Sequence, residues 1–148
     1  MLSVTLALTM LACGKSGNSG CQATTPAEDD AAMQAFMTAN GISGTKDPSG
    51  LYFQILNEGT GNKPNINSRV TVAYEGKLTD GTRFDGSNSA QFLLTQVVVG
   101  WQIGLTKVAK GGKIKLIIPP YLGYGCAGSG PIPKNAVLVF DIDVLDVK

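Results

Sequence analysis

The stretch Val97-Val98-Val99-Gly100-Trp101 constrains this chain more than any other. Three β-branched residues in a row favour a buried extended segment, and Gly100 lets the backbone change direction. Behind it, Trp101, Leu105 and Val108 fall at i, i+4 and i+7, the spacing of one helical face, and Gly111-Gly112 ends the pattern. A helix of about two turns does not persist alone in water. Its apolar face must rest on something larger, and strand signals lie on both sides of it in the chain. The single tryptophan then becomes the floor of whatever those strands enclose.

The strand signals are regular. Gly50 to Leu56 has strand composition, and turn residues follow from Glu58 to Asn67. Arg69 to Leu78 alternates, with Val70, Val72 and Tyr74 on one face and Thr71 and Glu75 among those on the other. Thr79-Asp80-Gly81-Thr82 is a hairpin turn centred on Asp-Gly. Phe84 to Ser87 begins the return, and Gln91 to Leu94 continues it. Lys113 to Ile118 and Val137 to Val147 alternate again, with Ile114, Leu116, Ile118, Leu138, Phe140, Ile142 and Val144 inward. An antiparallel sheet, a short helix and a long glycine-rich loop make an α+β domain.

Several chemistries are excluded. The net charge is +1 and no basic cluster is interleaved with aromatics, so a nucleic-acid partner is not expected. The chain has no histidine, which removes Ser-His-Asp and Cys-His schemes, histidine bases and His-containing metal sites. Cysteines at 13, 21 and 126 form no C-x-x-C pair, and neither a metal nor a cofactor is expected. A bridge between Cys21 and Cys126 is open but has no support in the sequence. Gly123-Tyr124-Gly125-Cys126-Ala127-Gly128 matches the dinucleotide pattern G-x-G-x-x-G. That pattern requires a helix to follow, and Ser129-Gly130-Pro131-Ile132-Pro133 does not open one. A loop folding closely over a pocket accounts for these glycines better.

The N-terminal part reads as separate pieces. Residues 1–12 carry an apolar run too short to span a membrane and of the length of a signal-peptide core. Met10-Leu11-Ala12-Cys13 resembles the bacterial lipobox, which makes Cys13 the expected lipidation site and the membrane an expected partner through that anchor; a plain cleaved signal is the alternative. Residues 13–25 read as a flexible tether. Residues 26–49 read as a short helix and linker, with Thr25 as N-cap, Pro26 at N1, Glu28 at N3 and Asn40-Gly41 at the end. Its stripe of Ala32, Met33, Phe36 and Met37 is expected to pack on the chain's own domain, residues 50–148, with a dimerisation or client-binding face as the alternative.

Tyr74, Phe84, Phe92, Trp101 and Phe140 belong on the enclosed face, and Tyr124 reaches it from the glycine-rich loop. Asp85 directly follows Phe84. A carboxylate against an aromatic wall is costly without a donor, and the Tyr74 hydroxyl is a candidate. An apolar pocket with one or two polar groups suits a ligand better than a filled core does.

From Arg69 onward the sequence resembles the FKBP-type peptidyl-prolyl cis-trans isomerases. The resemblance rests on Val72-Ala73-Tyr74-Glu75-Gly76, Asp80 through Ser87, Gly100-Trp101, Ile118-Pro119-Pro120, Tyr124-Gly125, Ile132-Pro133 and Asn135-Ala136 running into Leu138-Val139-Phe140-Asp141. It implies an antiparallel five- to six-stranded half-barrel wrapped around one short helix. It also implies an isomerase acting on proline-containing polypeptides and open to macrolide inhibitors of that class; export to a bacterial envelope is expected from the apolar run ending at Cys13 and its tether. A binding module without catalysis is the alternative on the same fold. By position, Trp101 is the floor; Tyr74, Phe84, Val97, Ile132 and Phe140 are walls; Asp85 and the Tyr124 hydroxyl make polar contacts; and the Val98 N–H receives a substrate carbonyl. Ala90 stands where many relatives carry a large apolar residue, which would open one wall unless Phe92 fills it. Thr95 replaces a usual glycine, and the loop between Tyr124 and Ile132 is shorter than in some relatives.

Overall fold

The alternating segments pair into one antiparallel sheet in the computed structural model, which describes residues 20–148. In chain order the elements are helix α1 (Pro26–Ala39), strands β1 (Thr45–Lys46), β2 (Tyr52–Asn57), β3 (Arg69–Leu78) and β4 (Arg83–Leu93), helix α2 (Val99–Gly104), and strands β5 (Lys113–Ile118) and β6 (Leu138–Val147). The six strands lie in the order β1-β2-β5-β6-β3-β4. The two-residue β1 falls inside the segment read as helix and linker, where its two residues carry no legible alternation. The expected signal segment and Cys13 lie outside the described residues.

Register explains which face is buried. Ile114 pairs with Ile142, Leu116 with Phe140 and Ile118 with Leu138, so their side chains share the concave face. On the other face Lys113 meets Asp143 at 3.3 Å and Lys115 meets Asp141 at 2.6 Å. At the β3–β4 turn Asp80 Oδ1 accepts from the Thr82 N–H at 2.8 Å, and Gly81 takes φ 89°. Further along, Val72 pairs with Ala90 but Tyr74 with Ser87, which places an extra residue in β4. Such a bulge bends the strand and curls the sheet around its concave side.

Helix α2 lies in that concavity, and here the structure corrects the sequence reading. Val97-Val98-Val99 is not a buried extended segment: Val97 and Val98 are half-buried and Val99, the first residue of α2, is 46% exposed. Gly100 sits within α2, and its role is close approach. A Cβ there would lie 2.6 Å from Ile118 Cγ2, and one at Gly104 would lie 2.5 Å from Leu116 Cδ2. The helix also ends earlier than its spacing suggests, tightening into a 3-10 turn at Leu105–Lys107, although Leu105 and Val108 are fully buried as expected. Gly100→Ala is expected to destabilise the fold by about 1–3 kcal/mol through overpacking against Ile118; urea unfolding of the variant measures it.

Lys107, at the end of that turn, is held by Asp47 at 2.7 Å and lies 4.4 Å over the Phe53 ring. The Lys107 ammonium, helped by the Ser49 hydroxyl and N–H, pulls the Asp47 carboxyl down to about 2. The two side chains are only 23% and 15% exposed, so solvent screens them less than a surface pair. A carboxyl depressed by folding stabilises above its unfolded pKa and loses that contribution as pH falls through the folded one. About 2 kcal/mol should therefore be present above ~pH 4 and disappear by ~pH 2. Asp47→Asn should flatten the acid limb of stability measured by urea unfolding against pH.

On the convex face α1 starts with the expected capping box: the Glu28 N–H donates to Thr25 Oγ1 and the Thr25 N–H donates to Glu28 Oε2 at 2.8 Å. Met33 and Met37 bury against Tyr52, Ile117 and Val137, with Phe36 at the edge. The helix thus packs on its own domain, although Ala32 is exposed and Asp29 takes the buried place a turn before Met33. The tether reading fails for its last residues. Cys21 is disulfide-bonded to Cys126, and Thr24 is hydrogen-bonded to Asn135 and Asp29.

Candidate functional site

Between the concave face and α2 lies a cavity of about 390 Å³. β3 supplies Tyr74; β4 supplies Phe84, Asp85 and Phe92; the turn into α2 supplies Gln96, Val97 and Val98; α2 supplies Trp101; β6 supplies Phe140; and the glycine-rich loop supplies Tyr124, Ser129, Pro131 and Ile132. All the sequence-derived site residues of the described region meet here except Ala90. That methyl sits opposite Val72, half-buried, and does not reach the cavity wall. Phe92, two residues along the same strand face, forms the wall instead.

Trp101 is the floor, 3% exposed. Three rings stand edge-on around it: Tyr74 at 5.1 Å and 85°, Phe140 at 5.2 Å and 85°, and Phe92 at 5.5 Å and 87°. Phe84 stands at 90° to Phe140, 5.5 Å away. Edge-to-face packing sets the positive ring edges against the negative faces and fixes the walls relative to one another. Gly76 makes this possible, because a Cβ there would lie 2.7 Å from both Phe84 Cζ and Phe140 Cε1. The buried Trp101 Nε1–H has no partner among the described residues.

Polar groups gather at the rim. The Tyr74 hydroxyl donates to Asp85 Oδ2 at 2.9 Å, and the Gly86 N–H donates to Oδ1 at 2.8 Å. The donor expected for Asp85 is therefore present, but the residue itself is exposed, so water also serves its carboxylate. Burial, then the bond to the Asp85 carboxylate, push the Tyr74 hydroxyl up to about 12. It stays protonated and donating through neutral and mildly alkaline pH. Tyr124, 41% exposed, closes the outer edge.

Val98 is the N-cap of α2, and its carbonyl accepts from the Trp101 and Gln102 N–H groups at 3.0 and 3.2 Å. No hydrogen bond among the described residues takes up the Val98 N–H itself. The Gln102 side chain donates to the Val97 carbonyl at 3.0 Å and steadies this turn. Sequence reasoning missed Gln102, Gln96, Ser129 and Pro131. The Pro/Gly content marked the loop, but beyond Tyr124 and Ile132 no signal marked which of its side chains face inward.

Residues 60–145 match the family model described as FKBP-type peptidyl-prolyl cis-trans isomerase. The FKBP-type peptidyl-prolyl cis-trans isomerase FkpA of Buchnera aphidicola subsp. Schizaphis graminum is 45% identical over 121 residues, 78% of this chain and 47% of the relative. FkpA of Escherichia coli strain K12 is 47% identical over 104 residues, 68% of this chain and 38% of the relative. The chain thus spans less than half the length of these curated relatives. Among solved structures, that of FkpA from Escherichia coli aligns with a TM-score of 0.75 at 40% identity, over 83% of this chain and 61% of the other. A peptidyl-prolyl cis-trans isomerase from Pseudomonas syringae pv. tomato aligns with a TM-score of 0.72 at 33% identity, over 86% of this chain and 98% of the other.

Proposed function

Because this chain belongs to the FKBP-type peptidyl-prolyl cis-trans isomerase family, we propose that it accelerates rotation about X-Pro bonds in exported polypeptides. The observation that carries this reading is the Trp101 floor with Tyr74, Phe92 and Phe140 edge-on around it. Rotation breaks amide resonance and faces a barrier of ~18–20 kcal/mol. The planar amide is strongly dipolar and the twisted one less so. A cavity walled by hydrocarbon therefore disfavours the planar ground state relative to the twisted form, and only that difference accelerates the step. In this reading the Val98 N–H, unpaired among the described residues, holds a flanking carbonyl with Asp85 and Tyr124 at the rim, so the chain is fixed while the prolyl bond turns. The macrolide inhibitors of the class are expected in the same cavity.

With no histidine in the chain and Tyr74 held at about 12, kcat/KM should stay level from about pH 6 to pH 9. A bell-shaped profile in that range would require a proton-transfer step that this reading lacks. Phe92 rather than Ala90 should lean on the residue before proline. Losing that wall removes ~1–2 kcal/mol of burial, a factor of about five to thirty. Accordingly, kcat/KM measured on Ala-Pro, Leu-Pro and Phe-Pro peptides should show Phe92→Ala losing most of the Leu and Phe preference and Ala90→Phe keeping it. No acceleration of any of the three by the unsubstituted protein would leave a binding module as the better reading.

Export is supported by the Cys21–Cys126 disulfide, since such bonds persist in oxidising compartments, and by the apolar run ahead of Cys13. Lipidation at Cys13 would tether the domain to a membrane of the envelope. Cys13→Ala should then shift the protein from the membrane fraction to soluble or unprocessed forms; an unchanged mass and fractionation would remove this part of the proposal.

A further inference from the structure

We propose that the Cys21–Cys126 disulfide makes residues 21–24 a strap that holds the cavity's glycine-rich wall in its substrate-binding shape, so that a dithiol opening the bond weakens substrate binding. The inference rests on the isomerase reading of the cavity. The wall it concerns is the segment from Gly123 to Ala136, which contributes Tyr124, Ser129, Pro131 and Ile132. This segment has no helix or strand of its own. Gly125, Gly128 and Gly130 all take positive φ. Its backbone ties are the Gly123 and Gly125 N–H groups donating to the Pro120 carbonyl at 3.0 and 2.8 Å, the Ser129–Ile132 bridge and the Asn135 N–H donating to the Gly125 carbonyl at 3.0 Å, and Ile132 is its one side chain buried in the main core. A segment so glycine-rich and so sparsely bonded opens at low free energy unless something outside holds it.

The strap supplies that hold at three points. Cys126 lies two residues from Tyr124, and its Cα is 5.4 Å from that of Cys21, 105 residues away in sequence. Asn135, the one non-glycine residue with positive φ among the described residues, grips the strap with both ends of its amide. Its Oδ1 accepts from the Thr24 N–H at 3.3 Å, and its Nδ2 donates to the Gln22 carbonyl at 2.8 Å. The Thr24 hydroxyl then donates to the buried Asp29 Oδ1 at 2.6 Å, which fastens the strap to α1 and hence to the convex face of the sheet. The loop is thereby tied to a packed helix and not only to its own turns.

The bond is open to exchange, because Cys21 is exposed and Cys126 half-buried. One thiolate of a dithiol attacks Cys21 Sγ, the S–S bond breaks, and Cys126 leaves as a thiolate that takes up a proton. The second thiol then displaces Cys21 from the mixed disulfide, so the protein gains two thiols and the dithiol becomes a cyclic disulfide. Among the described residues the strap's bonds go to Asn135, Cys126 and Asp29, and none goes to the floor or to the β3, β4 and β6 walls. The expected consequence is a rise in KM with kcat nearly unchanged, as the loop must now be ordered on each binding event.

The test compares the oxidised protein with the protein reduced by dithiothreitol, thiols counted by mass, using a Phe-Pro peptide. The expected result is a KM raised roughly three- to tenfold on reduction and restored on reoxidation. Cys21→Ser should show the raised KM with and without dithiothreitol, and oxidised Asn135→Ala should show a smaller rise. Peptide binding read by the fluorescence of Trp101, the chain's one tryptophan, should weaken in parallel. An equal KM in protein verified as oxidised and as reduced would overturn the strap, and the wild-type comparison stands even if a variant fails to fold. Failure of the isomerase reading would look different: the oxidised protein itself would not accelerate the peptide.

Discussion

Trp101→Ala is expected to lower global stability by about 3–5 kcal/mol. The indole is the contact shared by Tyr74, Phe92 and Phe140, and it lies on the fully buried side chains under α2. Removing it deletes the burial of a large aromatic and leaves a cavity that the surrounding sheet cannot collapse into. The same substitution takes away the floor under the substrate, so isomerase activity should fall to background. Urea unfolding followed by circular dichroism measures the first effect, since the variant has no tryptophan left to report. A loss under about 1 kcal/mol would mean that the aromatic cluster is held by the sheet alone and not by the helix it surrounds.

Gly76→Ala is expected to separate shape from stability. A methyl there must displace the Phe84 and Phe140 rings, each 2.7 Å from the added carbon, and overpacking of this kind costs about 1–3 kcal/mol. The larger effect should fall on activity. A wall displaced by a fraction of an ångström changes the differential between planar and twisted amide, and we expect kcat/KM to drop by at least about tenfold. Phe84→Leu in the same chain returns room to the site and should recover part of the loss. If Gly76→Ala keeps full activity, the edge-to-face arrangement of Phe84 and Phe140 is not what shapes the site.

Much of this arrangement was legible in the residues. The period-two patterns of Arg69–Leu78, Lys113–Ile118 and Val137–Val147 gave the concave face correctly, because alternation is the direct imprint of a sheet with one face on the core; it breaks at Ile117, where α1 covers the other face. The gathering of Tyr74, Phe84, Trp101 and Phe140 followed from that face. Three β-branched valines misled, since β propensity describes a half-buried surface and α2 provides one for Val97 and Val98 without a strand. Gly100 misled for a related reason: a glycine serves a turn or a close approach, and only the position of Ile118 decides which. Ala90 and Phe92 lie on one strand face, so alternation could not tell which reaches the cavity; the β4 bulge sets that. The Cys21–Cys126 pairing depends on a contact 105 residues apart, and local pattern carries no information about it.

Exchange spectroscopy on a proline peptide tests the central claim most directly. Nuclear magnetic resonance separates the cis and trans forms of a short Phe-Pro peptide, which on its own exchange over tens to hundreds of seconds. Catalytic amounts of the oxidised protein should produce cross-peaks between the two forms, with a rate proportional to protein concentration and at least about tenfold lower with Gly76→Ala held at the same amount. Peptide signals that shift on binding while the two forms remain without exchange peaks would contradict the account, and would make this cavity a place where proline segments are held and not turned.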